Sequence, residues 1–150
     1  MWDARNPSAQ PIFLKGDEGS NYTPTFSPDG NWLATISDDS IVRLWDVNDL
    51  SVDPIALRGH ESPITTLPSA PNGNWLATGR DDTPVRLCDM RHPFSRPIVL
   101  EGPDDSIYTL TFSPDGNWLA TKSADRTTSF VEHAQFVYRP IVLPLIRNQR

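Results

Sequence analysis

Apolar residues in this chain fall in short runs and not at the spacing of a helix face. Between residues 54 and 96 four runs follow one another: Ile55 to Leu57, Ile64 to Leu67, Trp75 to Thr78 and Val85 to Cys88. The last alternates Val85, Arg86, Leu87, the period of two expected of a half-buried strand. Turn residues separate the runs: Gly59-His60, Pro71-Asn72-Gly73, Asp81-Asp82 and then Asp89. Such spacing predicts a four-stranded antiparallel meander. The turn chemistry is explicit in Pro28-Asp29-Gly30, where proline presets φ and glycine serves where φ is positive.

The pattern recurs. TFSPDGNWLAT at 25–35 returns unchanged at 111–121, and SAPNGNWLAT stands at 69–78. Trp32, Trp75 and Trp118 are each 43 residues apart, and Trp2-Asp3 precedes Trp45-Asp46 by the same step. Pro-Ile pairs at 11, 54, 97 and 140 keep it too. A fixed period of this length marks a repeat architecture. One twisted four-stranded sheet cannot bury both faces alone, whereas copies stacked around an axis can.

Gly59-His60, the turn residue Asp82 and above all VRLWD at 42–46 resemble the WD40 repeat. The resemblance implies an all-β fold: a WD40-type β-propeller segment of three four-stranded antiparallel blades, not a closed ring as a single chain. Carried onto the numbering, it gives one repeat region over 1–150, with blades at about 22–57, 64–100 and 107–143 and a tail at 144–150. A partial repeat occupies 1–14: residues 11–14 are an outer strand and residues 1–3 the stub of a third strand.

The resemblance also implies a hydrogen-bond relay in each blade, joining a histidine, a turn aspartate, a strand threonine and a tryptophan. Blade one supplies Thr35, Asp39 and Trp45, but the histidine position reads Asp17. Blade two supplies His60, Thr78 and Asp82, with Cys88 at the tryptophan position. Blade three supplies Thr121 and Asp125, with Pro103 and Val131 at the other two. A cysteine or valine in place of a core tryptophan leaves a cavity costing about 3–5 kcal/mol unless neighbours refill it. Pro24 stands in an inner strand where the other repeats carry Leu67 and Leu110, and it removes a ladder donor. The expected fold is marginally stable, weakest toward its C-terminal end.

Composition narrows the function classes. The 150 residues include fifteen prolines and eight glycines, which suits short strands and many turns. A net charge of −6 gives no basic patch for nucleic acid. No apolar leader or membrane-length run is present, and Cys88 has no second cysteine to pair with. A soluble, cytoplasmic protein with no nucleic-acid or membrane partner is expected. No GxSxG, GxxxxGK[ST] or HExxH occurs. His60, His92 and His133 lack Cys or His neighbours at zinc-ligand spacing. The pairs Asp38-Asp39, Asp81-Asp82 and Asp104-Asp105 place adjacent carboxylates on opposite faces of a strand. No enzyme activity, metal or cofactor is expected.

Two features remain as candidates for partner binding. Trp32, Trp75 and Trp118 either pack between neighbouring blades or form a ring of aromatic anchors on one face. Loops expected on one face carry Asp17, Glu18, Asp38, Glu61, Asp81, Asp104 and Asp105 against Arg80, Lys122 and Arg126. The opposite face, with Arg91, His92, Arg96 and Arg139, is less acidic. An acidic rim attracts basic peptides or proteins; the alternative is a rim that keeps the protein soluble. The expected function is a non-catalytic interaction or scaffold module, closing a six-bladed ring by forming a homodimer. One alternative is a detached or eroded piece of a longer array with a structural role alone. Another is a propeller-type hydrolase or lyase, which needs a convergent polar cluster that these residues do not supply.

Overall fold

The computed structural model describes residues 1–14, 23–61, 63–79, 84–100, 106–123, 127–132 and 141–144. Among them the chain forms eleven strands and no helix, gathered in three antiparallel sheets. The first sheet holds β1 (Thr25–Phe26), β2 (Trp32–Ile36), β3 (Val42–Asp46) and β4 (Ile55–Leu57) in chain order. The second holds β5 (Trp75–Thr78), β6 (Val85–Asp89) and β7 (Ile98–Leu100). The third holds β8 (Ile107–Phe112), β9 (Trp118–Ser123), β10 (Thr127–Glu132) and β11 (Ile141–Pro144).

The repeat is visible in the register. Leu33 stands opposite Trp45 in the first sheet as Leu76 stands opposite Cys88 in the second. The sequence pattern predicts four strands in every sheet, and the middle sheet departs from it. Residues 64–67, read as a strand, make only the isolated bridge Thr66↔Gly79, and a second, Ser69↔Leu76, follows them. Pro68 lies between them, and its missing N–H breaks the ladder while its carbonyl still accepts from Ala77 N at 2.9 Å. Pro24 acts similarly on β1, which is two residues long. The third repeat has no proline in this stretch, and β8 runs for six residues. The third sheet, whose sequence strays furthest from the pattern, therefore has the longest inner strand.

Two cores hold the sheets together, one at each junction. The first joins Ala34, Ile36, Val42 and Leu44 of the first sheet to Ile64, Leu67, Leu76, Cys88 and Met90. Trp32, Ile55 and Leu57 pack against it. The second joins Ala70, Trp75, Ala77, Val85 and Leu87 to Ile107, Leu110 and Leu119 of the third sheet. The middle sheet thus gives alternate residues to opposite neighbours, as strand geometry requires. Cys88, at a tryptophan position, is buried in the same core as Leu67, Leu76 and Met90. Burial pushes its thiol up to about 12.

A short N-terminal segment lies against the open face of the first sheet. Met1 and Ile12 exchange backbone hydrogen bonds in both directions, but residues 1–14, expected to hold a strand stub and an outer strand, form no strand. Between this segment and the sheet is an apolar cleft of about 530 Å³. Trp2, Phe13, Phe26, Leu33 and Trp45 are among its walls.

Candidate functional site

The repeated hexapeptide makes the most regular local structure in the chain. In the first sheet Ser27 Oγ donates to Asp29 Oδ1, and Trp32 N donates back to Ser27 Oγ at 2.9 Å. Asn31 closes the turn from its backbone N to Asp29 Oδ1 at 3.1 Å and from Nδ2 to Oδ2 at 2.7 Å. Ser113, Asp115, Asn117 and Trp118 repeat the same bonds in the third sheet. The serine hydroxyl holds the Asp29 carboxyl below the usual carboxylate range, and Ser113 does the same for Asp115. Gly30, Gly73 and Gly116 each take φ of 72–75° to complete the turn.

The relay expected of each blade is present in pieces. In the first sheet Trp45 Nε1 donates to Thr35 Oγ1 at 3.0 Å. Asp39 is redirected: its carboxylate takes Arg43 Nη2 at 2.6 Å, Ser37 Oγ at 2.7 Å and Ile41 N at 3.0 Å. The Arg43 guanidinium holds the Asp39 carboxyl far below the usual range. With Asp17 at the histidine position, a buried arginine on the same hairpin becomes the partner instead. In the second sheet His60 Nε2 and Thr78 Oγ1 share a 2.7 Å hydrogen bond. In the third, Thr121 Oγ1 is buried and has no hydrogen-bond partner among the described residues. Asp82 and Asp125 lie outside the described residues.

Thr35, Thr78 and Thr121 are the same repeat position with three different environments, so one substitution reads all three. Thr78→Val is expected to cost about 1–2 kcal/mol, since it takes the hydroxyl from His60 and leaves a part-buried ring nitrogen poorer by one partner. Thr35→Val is expected to cost about 1 kcal/mol through Trp45. Thr121→Val is expected to be neutral or stabilising, because the buried hydroxyl it removes has no partner among the described residues. Urea unfolding of the three variants measures the order; an equal loss at all three would rule out this assignment.

The structure separates the three aromatic candidates. Trp75 is 5% exposed in the second core and offers no free ring face to a partner. Trp32 is half-buried against the first core. Trp118 is 36% exposed on the open face of the third sheet. Of the acidic rim, Glu61 is exposed, while Asp17, Glu18, Arg80, Asp81, Asp104 and Asp105 lie outside the described residues.

On the opposite face sits a polar cleft that the sequence pattern did not bring out. It has a volume of about 530 Å³ and lies where the turns of the first and second sheets meet. Asp29, Asn31 and Trp32 form one wall, and Asn72, Asn74 and Arg91 the other. Arg91 pairs with Asp89 through Nε and Nη2, both at 2.8 Å, and holds its carboxyl down at about 2. Its guanidinium carbon also lies 5.7 Å from the centre of the Trp75 ring. The signal for this cluster was the Asp-x-Arg spacing of 89 and 91 directly across from a tryptophan strand. The corresponding turn junction between the second and third sheets is bridged by Asn72 Nδ2, which reaches Gly116 O at 3.4 Å.

The family description "WD domain, G-beta repeat" matches residues 22–46, 52–87 and 95–130. The fold is similar to that of the solved "Structure of U3-55K", with a TM-score of 0.74 and 19% identity over 87% of this chain and 41% of that one. "Crystal structure of RRP9 WD40 repeats" is similar at a TM-score of 0.73 and 20% identity, over 87% of this chain and 40% of that one. The chain thus spans about two fifths of the length of these solved structures. No curated protein sequence matches it.

Proposed function

The chain belongs to the WD40-repeat family, and from that premise we propose that it is a non-catalytic protein-interaction scaffold whose ring a second copy completes. One observation carries the reading: both ends of the sheet stack present large apolar side chains to solvent. At one end Trp2 is 68% and Phe13 85% exposed beside the apolar cleft over Leu33 and Trp45. At the other, Tyr108 is 63% exposed and Trp118 stands on the same sheet. Exposed apolar surface of this kind marks an interaction site. A two-fold pairing that sets the end of one copy against the beginning of the other buries both ends twice and gives six blades. The scaffold role itself comes from the family and not from any chemistry of a pocket.

A second reading has its own support, the two-fifths span against the solved structures: the missing blades come from further sequence of a longer protein. Light scattering on a size-exclusion column distinguishes the two. A species near twice the 16.8 kDa chain mass supports ring closure by self-association. A monomer overturns it and favours the second reading.

A further inference from the structure

The middle sheet contains a filled cradle for a guanidinium, and the first sheet contains the same cradle without its arginine. In the filled copy, Arg91 forks onto both oxygens of Asp89 and lies over the Trp75 indole. A bidentate carboxylate pair and a ring face are the two contacts that suit a planar, always-charged group. One repeat earlier, Trp32 stands opposite Asp46 in the register that sets Trp75 opposite Asp89. The local backbone agrees as well: Asp46 Oδ1 accepts from Asn48 N at 2.9 Å, as Asp89 Oδ1 accepts from Arg91 N at 3.0 Å.

The arginine position is where the two copies part. Asn48 occupies it, and its side chain turns away to donate to Asn31 Oδ1 at 3.0 Å. Among the described residues Asp46 makes no ion pair. Trp32 keeps part of its surface open and lines the polar cleft, whereas Trp75 is covered. Asp29 is the carboxylate that lines the cleft beside Trp32, while the cation there, Arg91, is already matched by Asp89.

We propose that Trp32 and Asp46 bind an arginine side chain from a partner protein. The guanidinium lies over the Trp32 indole and donates two hydrogen bonds to the Asp46 carboxylate, with Asp29 contributing long-range attraction. The proposal rests on the scaffold reading and gives it a partner chemistry. It also moves the recognition of basic partners from the acidic rim of one face to the turn face opposite. Lysine fits less well, because its compact ammonium lacks the planar fork that matches a carboxylate and stacks on a ring.

The test uses the full ¹⁵N-labelled chain titrated with the blocked tripeptide acetyl-Gly-Arg-Gly-amide, following the five tryptophan indole signals by NMR. The Trp32 signal is expected to shift and saturate while the Trp75 signal stays in place. The citrulline analogue keeps the shape and loses the charge, and is expected to bind at least about tenfold more weakly. Asn48→Arg fills the cradle from within and Asp46→Asn removes its acceptor, so both are expected to abolish the shift while the signal dispersion of a folded chain persists. No Trp32 shift, an equal shift with citrulline, or an undiminished shift in both variants overturns the proposal. The mass measurement on unliganded chain stands apart from these outcomes. A dimer without a Trp32 response removes the cradle alone, and a monomer with one removes self-association alone.

Discussion

Leu87→Ala is expected to cost about 2–5 kcal/mol and to loosen the third sheet selectively. Leu87 has no exposed surface and points into the second core, where it meets the third sheet through Ile107, Leu110 and Leu119. Leu44, equally buried, is its counterpart in the first core. In a stack where each sheet touches only its neighbours, stability is close to a sum over junctions. Truncation at one junction should then leave the other largely intact. Amide hydrogen exchange reads this directly. In Leu87→Ala, protection is expected to fall in β8 and β9 while β2 and β3 keep theirs; in Leu44→Ala the loss is expected in β2 and β3. Uniform loss in both variants would show that the sheets unfold as one cooperative unit instead.

The second large effect is at the turns. Gly116→Ala is expected to cost about 2–3 kcal/mol, against about 1–2 for Gly30→Ala and Gly73→Ala. All three positions need positive φ, which a Cβ disfavours. At Gly30 and Gly73 the added methyl would meet nothing within 4 Å, so only the backbone cost applies. At Gly116 it would lie 2.5 Å from Asn72 Nδ2, so the amide bridging the second and third sheets must also leave. Thermal unfolding of the three variants gives the ranking. A cost at Gly116 no greater than at Gly30 would mean that the bridge contributes nothing.

The sequence made the periodicity legible because backbone pairing and turn chemistry are local. Serine, aspartate, glycine and asparagine at fixed offsets build one turn wherever they occur, so identical text at 27–32 and 113–118 gave identical hydrogen bonds. What stayed hidden depended on partners chosen across space. The repeat pattern shows the missing histidine at Asp17, but not that Arg43 on the same hairpin takes the Asp39 carboxylate in its place. The effect of Pro68 is hard to read because it ends an apolar run that otherwise has the pattern of a strand. The tryptophans share a repeat position but not an exposure, because Trp75 has a sheet packed over it where Trp118 stands on an open face. The Asp89–Arg91 pair was legible as two charges, but its stacking on Trp75 was not.

The Asn72–Gly116 bridge also gives this protein a chemical clock. Asn72 is followed by Gly73, and an asparagine before glycine loses its side-chain ammonia most readily, because the next backbone nitrogen is unhindered. Deamidation would exchange the donor Nδ2 for an acceptor facing the Gly116 carbonyl. The aspartates of the other two turns are held by Ser27 and Ser113, but the second turn has Ala70 at that position and offers no hydroxyl in compensation. In an ageing sample the junction of the second and third sheets would therefore lose its Asn72–Gly116 bridge, as one asparagine becomes an acidic residue.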